Sequence, residues 1–221
     1  MIEPYDAVLS RSMNRDSTIW LIKPHFIVKW GTGVTPVEAQ NMLFIQAHTN
    51  IPIPRLYAAR KEGACTILFM EYIEGTRLDQ VASTFLTSDR LRKFTEQLKS
   101  HIEQIRTIPL PNPPFYAERE NEAETEFLAL RTKFIKLVLS NDDSAALSKP
   151  RFTHGWMCDE NIIVRADGSP VWIDWSMAGF FPLYWDAVYN SKFLEKWQVS
   201  TGCEDVDNEI RLIKAAWDRL R

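Results

Sequence analysis

Residues 161–175 read NIIVRADGSPVWIDW, and no other stretch of the chain narrows the fold as much. Two short apolar runs flank Asp167-Gly168, a dipeptide that tolerates the positive φ of a tight turn, so a strand, a turn and a second strand are expected. A polar residue stands at each end. Asn161 opens the first strand, and Asp174 sits between Ile173 and Trp175 in the second. A carboxylate in an apolar strand needs a partner if it is buried. Pairing the strands brings an amide and a carboxylate to adjacent ends. The plainer reading of Asn161 is a turn residue that starts a strand.

Upstream, TIWLI and FIVKW are separated by Lys23-Pro24-His25, which predicts strand, tight turn and strand over Thr18 to Lys29. A helix follows, with Thr35 as N-cap, Pro36 at its first position and Glu38 completing a capping box. Ala39, Met42 and Leu43 form its expected buried stripe. NIPIPRLYAAR reads as extended because Pro52 and Pro54 forbid a helix. CTILFMEYI reads as a buried strand ending near Glu71. Residues 1–72 are thus expected to form a small lobe of sheet plus one helix.

Residues 73–221 are expected to form a mostly helical lobe that carries the hairpin. Leu91, Phe94, Leu98, Ile102 and Ile105 recur at helical spacing between Ser88 and Ile108. PLPNPP is a stiff loop. A further helix is expected over Glu120–Leu139, with acidic residues early and Lys133 and Lys136 late, as the helix dipole favours. A last one runs from about Glu204 to Arg221.

The chain has 221 residues, enough for two packed lobes around a sizeable core. Its net charge of −3 argues against a nucleic-acid partner. No apolar run is long enough to span a bilayer, and the first residues lack the basic and apolar regions of a signal peptide. Cys65, Cys158 and Cys203 are odd in number and widely spaced, which suggests reduced thiols and a cytoplasmic location.

The segment FTHGWMCDENIIVRADGSPVWIDWSMAGFFPLYWDAV resembles the catalytic segment of the aminoglycoside phosphotransferase and choline-kinase-like family. The resemblance extends over roughly Thr18 to Trp197. Family members show His-Gly-Asp, an Asn five residues beyond that Asp, a hairpin, and then Ile-Asp-Trp. The resemblance implies an α+β, two-lobed, protein-kinase-like fold. It also implies phosphoryl transfer from ATP with Mg²⁺ to a small molecule.

That chemistry needs a lysine on the phosphates, a helix glutamate orienting it, metal ligands, and an aspartate that orients the attacking hydroxyl. By the resemblance, Lys29 is the phosphate-binding lysine and Glu38 its helix partner. Glu71, at the end of its strand, joins them on the nucleotide side. Asn161 and Asp174 are the metal ligands. His154 belongs to the catalytic loop, where the family uses it as a brace and not as a base. Lys29 read alone is a solvated strand-end lysine, and Glu38 read alone is half of a capping box.

The chain departs from the pattern at Trp156, which stands where the family has its aspartate. Indole has no lone pair for a hydroxyl proton and cannot bind a metal. Loss of a general base alone costs about 10²- to 10⁴-fold in rate. Asp159 is the nearest stand-in, and its plainer reading, like that of Glu160, is a solvated loop residue. The stretch LSRSMNRDS before the first strand has no glycine for a phosphate loop, although Arg11 and Arg15 are potential anion contacts. Phe180, Phe181, Tyr184, Trp185, Tyr189 and Trp197 form either core or, with Trp156 and Trp175, an apolar pocket.

The leading expectation is a repurposed cleft that takes an apolar small molecule, with transformation by cyclisation or isomerisation as one outcome. Lys29, Glu38, Asp159, Asn161 and Asp174 would be its polar groups. The alternatives are an active phosphotransferase of atypical geometry and a nucleotide-binding pseudokinase. ATP and Mg²⁺ are cofactors only where the nucleotide site is kept.

Overall fold

In the computed structural model the described residues are 2–4, 17–22, 26–81, 88–110, 150–182 and 190–199. Period-two burial builds the first sheet. In β3 (Phe26–Gly31) and β5 (Cys65–Glu71) alternate residues turn inward, so Lys29 shares a face with Ile27, and Thr66, Leu68 and Met70 line up beside them. With β1 (Ile2–Pro4), β2 (Ser17–Ile22) and β4 (Leu56–Glu62) they make an antiparallel sheet in the order β1-β2-β3-β5-β4. Lys29 pairs with Leu68 in its register. β4 forms an edge, and most of its side chains are exposed.

Helix α1 (Pro36–His48) starts as the sequence suggests, with Thr35 in extended geometry and Pro36 in the first turn. The expected capping box does not form. The Thr35 hydroxyl makes no cap bond, and the Glu38 carboxylate turns to Lys29. The buried stripe also differs. Leu43 is 54% exposed, while Glu38, Ala39, Asn41, Met42 and Ile45 are buried. The extended segment around Pro52 and Pro54 finds a partner in the hairpin, where the Trp172 amide donates to the Pro52 carbonyl at 2.9 Å.

The hairpin is β8 (Ile162–Val164) and β9 (Pro170–Trp172), joined on its other side by β6 (Thr76–Arg77). Its turn is wider than the two-residue form. The Gly168 amide donates to the Arg165 carbonyl, and Gly168 takes φ 88° just past that turn. Asp167 accepts the Ser169 amide and hydroxyl, which pins the loop. All of the β8 and β9 residues are buried, so these strands carry no polar face.

Helix α2 (Ser88–Thr107) buries Phe94, Leu98, Ile102 and Ile105 almost completely, whereas Leu91, at its start, is 39% exposed. This stripe packs toward β9 and β7 (Pro150–Thr153), which pairs antiparallel with β10 (Gly179–Pro182). A short helix, α3 (Ser191–Lys196), closes the described part. No helix among the described residues is long and apolar enough to cross a membrane. The expected helices at Glu120–Leu139 (with Lys133 and Lys136) and Glu204–Arg221 lie outside the described residues, as do Arg11, Arg15, Tyr184, Trp185, Tyr189 and Cys203.

Two positions in this frame yield tests. Gly155 has φ 78°, and a Cβ there would lie 2.0 Å from the Met177 carbonyl oxygen. Gly155→Ala is therefore expected to lower stability by more than about 2 kcal/mol, from backbone strain plus a clash with main chain, measured by chemical denaturation. On α2, His101 Nδ1 accepts the Trp172 indole N–H at 3.1 Å, and burial pushes its pKa from 6.5 down to about 4. The unfolded chain thus takes up this proton first as pH falls. The contribution of neutral His101 is complete above pH 6.5 and disappears as pH drops toward 4, a loss of about 3 kcal/mol at most. Melting curves between pH 7.5 and 4.5 should show the decline, and His101→Gln should flatten it.

Candidate functional site

Lys29 is the centre of the cleft. Its ammonium donates to both Glu38 oxygens at 3.1 and 2.8 Å and to Asp174 Oδ1 at 3.1 Å. Lys29 and Glu38 are almost fully buried, and the Asp174 side chain is 27% exposed. Burial alone would lower the Lys29 pKa. Glu38 and then Asp174 outweigh it and hold the ammonium above its ordinary value. Burial alone would raise the Asp174 pKa, but Lys29, the Ser176 hydrogen bond and His154 bring it down to about 2. One cation faces two carboxylates, so the cluster carries an excess negative charge.

Asp174 has φ 58° and ψ 68°. This left-handed conformation is uncommon for a residue with a Cβ and costs roughly 1–2 kcal/mol. It turns the chain out of β9 into the 3-10 turn Trp175–Met177. The Ile173 amide donates to the Asn161 carbonyl at 3.0 Å, which extends the hairpin ladder and sets Asn161 beside the start of that bend. Asn161 Nδ2 donates to the Trp156 carbonyl at 3.1 Å. Asn161 lines the cleft with Asp174, Lys29 and Glu38, and with its NH₂ end committed to Trp156 its amide oxygen is the atom left to accept or ligate. Ile19, Ile27, Met42, Met70, Ile163 and Ile173 give the same cleft aliphatic walls.

A carboxylate and an amide oxygen at the edge of a negatively charged cluster fit Mg²⁺, which is held by one or two carboxylates and completes its shell with phosphate oxygens and water. Among the described residues no cluster of three or more His, Cys, Asp or Glu side chains is arranged to hold a metal by itself.

The other candidates are engaged by neighbouring groups. Glu71 lines the cleft, but its Oε2 accepts the Arg55 amide at 3.0 Å. His154 is fully buried. Its Nε2 meets the Ile173 carbonyl at 2.9 Å, and its ring packs on Trp172 and Trp175. Such a position holds the loop against the hairpin and keeps the imidazole from a substrate. Asp159 opens a 3-10 turn on the far side of the loop. Its Oδ1 accepts the Trp197 indole N–H at 2.8 Å and its Oδ2 is bound by Lys196. Both oxygens are therefore engaged with α3 and its C-cap, and Asp159 lines a separate hollow of about 500 Å³ with Trp156, Met157, Lys192 and Phe193. The Trp156 indole N–H lies against the Cys158 sulfur, and burial pushes that thiol up to about 11, so it stays protonated at neutral pH.

Several residues that matter carry little signal in the sequence. Asn41 ties α1 to the segment after Asp174, with bonds to the Trp175 and Ala178 carbonyls. Asn190 Oδ1 accepts the Met157 amide at 2.7 Å and joins α3 to the catalytic loop. Lys196 and Trp197 fix Asp159. The only hint is an amide or charge inside an otherwise apolar stretch, and that pattern is too common to be specific.

Solved structures similar to this chain include aminoglycoside phosphotransferases. The chain superposes on the GDP and kanamycin complex of APH(2")-IIia with a TM-score of 0.64 at 13% identity, covering 96% of this chain and 81% of that one. The streptomycin–ATP–APH(2")-IIa ternary complex gives 0.63 at 14% identity, over 98% and 83%. Spectinomycin phosphotransferase APH(9)-Ia, with ADP and spectinomycin, gives 0.56 at 13%, over 91% and 76%. No curated protein sequence matches significantly. The model of the phosphotransferase enzyme family matches residues 34–221, so the chain belongs to that family, and it shares the protein-kinase-like fold of the similar structures.

Proposed function

We propose that the chain binds ATP with Mg²⁺ in the Lys29 cleft and that phosphoryl transfer to a hydroxyl acceptor is suppressed on the Trp156 side. The observation that carries this reading is the buried Lys29–Glu38–Asp174 cluster with Asn161 beside it. Burying such charges costs free energy that pairing only partly offsets, and clusters of this kind concentrate at functional sites. Their excess negative charge is complemented by a cation, while Lys29 is the one positive group for phosphate among the described residues that line the cleft. Aliphatic walls suit a flat base. The similar structures bound to GDP, ATP or ADP support the same assignment. Mg²⁺ would neutralise phosphate charge between Asn161 and Asp174, and Lys29 would orient the phosphates.

The acceptor side lacks a base. Trp156 offers no proton acceptor, and Asp159 is held by Lys196 and Trp197. The hollow between Trp156 and Phe193 is also lined by Asp79, Asp159, Glu160, Lys192 and Lys196, which favours a small-molecule ligand with an apolar body and polar or charged substituents there. A second reading, in which an apolar metabolite replaces nucleotide altogether, rests on the aliphatic lining of the Lys29 cleft.

Thermal melts with ATP separate the two. A ligand at 100 times its dissociation constant adds about 2.7 kcal/mol, so Mg²⁺-ATP should raise the melting point by roughly 5–10 °C. Lys29→Ala and Asp174→Ala should abolish the rise. No rise in the unaltered protein would favour the metabolite reading.

Trp156→Asp tests the acceptor side. Asn161 is anchored to the carbonyl of residue 156 and not to its side chain, so nucleotide affinity should stay within a few-fold. Transfer of phosphate from ATP to small alcohols or to water should rise by about 10²-fold or more. Rapid phosphorylation of an alcohol by the unaltered protein would contradict the proposed suppression.

A further inference from the structure

Asn41 lies one turn along α1 from Glu38, on the same buried face, and is 1% exposed. Its Nδ2 donates to the Trp175 carbonyl at 2.9 Å and to the Ala178 carbonyl at 2.8 Å. Both hydrogens of the amide are thereby used, and a flipped amide would set its oxygen against two carbonyls, so the orientation is unambiguous. The same Trp175 carbonyl also accepts the Ala178 amide at 3.1 Å. One side chain thus clips both ends of the turn that begins right after Asp174.

We propose that Asn41 is a positioning residue that holds the Asp174 carboxylate at the metal side of the cleft through the 174–178 backbone. The proposal rests on the nucleotide and Mg²⁺ reading above and assigns a role that the cluster itself leaves open. Asp174 adopts a left-handed conformation that does not persist unless its surroundings impose it. In the structure it is held partly by Lys29. Phosphates recruited by Lys29 and a cation recruited by Asp174 both weaken that contact, because each competes for the same charges. The Asn41 bonds run to backbone carbonyls, outside this competition. They persist when the cleft fills and keep the bend in place when the ion pair no longer does. Since Glu38 sits on the same helix face, α1 then controls both the lysine and the metal carboxylate.

The test compares Asn41→Ser, which keeps one donor, and Asn41→Leu, which keeps none. ATP affinity is measured with and without Mg²⁺, alongside hydrogen exchange of peptides covering 174–178 and α1. The affinity without Mg²⁺ should stay within about twofold. The gain that Mg²⁺ confers should fall by about tenfold or more, further in the leucine variant, as when a residue orienting a metal ligand is lost. Exchange at 174–178 should speed up while α1 is unchanged. A packing role alone would lower the melting point and leave the Mg²⁺ gain intact in the folded fraction, and that result overturns the assignment. If Asn41→Leu does not fold, Asn41→Ser decides by the same two readouts. If the unaltered protein shows no Mg²⁺-dependent ATP binding, the nucleotide reading fails and the metal-positioning role with it. Unchanged exchange together with normal Mg²⁺-ATP binding removes the Asn41 role alone.

Discussion

The buried contact between Lys29 and Glu38 governs the arrangement of the cleft. An ammonium and a carboxylate are both almost fully withdrawn from water, and desolvation of that kind offsets much of their attraction. Removing one partner from such a pair typically costs about 3–5 kcal/mol, because the other is left charged and alone. The contact therefore sets the position of α1 against β3. Glu38 must face Lys29, and Asn41, one turn on, then faces the segment after Asp174. The helix has polar groups at the centre of its buried face, and Leu43, which an apolar stripe would have buried, is turned outward.

The hairpin contributes the opposite wall by different physics. Its strands are apolar on both faces and are sealed by α2, the Pro52 segment and β6. That rigidity supports the unfavourable backbone at Asp174. A glycine at 155 lets the catalytic loop pass within contact distance of Met177, and His154 hydrogen-bonds back to Ile173. The site is thus assembled from three pieces, strand β3, helix α1 and the hairpin, and each side chain in it is oriented by a backbone group or an ion pair.

Much of this was legible in the sequence because its signals are local. The β2–β3 unit, the end of β5 at Glu71 and the hairpin follow from alternation and turn residues within a few positions of one another. The α2 stripe follows from simple periodicity. The missing features depend on distant residues. β7 pairs with β10 across the whole catalytic segment, and neither strand has a pattern of its own. Glu38 was compatible with a cap and with an ion pair, and only the neighbouring strand decides between them. Asp159 read as a solvated loop carboxylate because Lys196 and Trp197, which bind it, lie at the end of a helix too short to show periodicity. The same limit hid Asn41, whose partners are carbonyls that a sequence does not display.

The anchoring of Asn161 has a consequence for descent. Its amide is oriented by the main-chain carbonyl of residue 156, a group that every amino acid supplies. A mutation at that codon can change the side chain and leave the Asn161 amide oriented as before. Under the function proposed above, the two sides of the cleft are therefore heritable as separate traits, and a lineage can change what it does at one without having to rebuild the other.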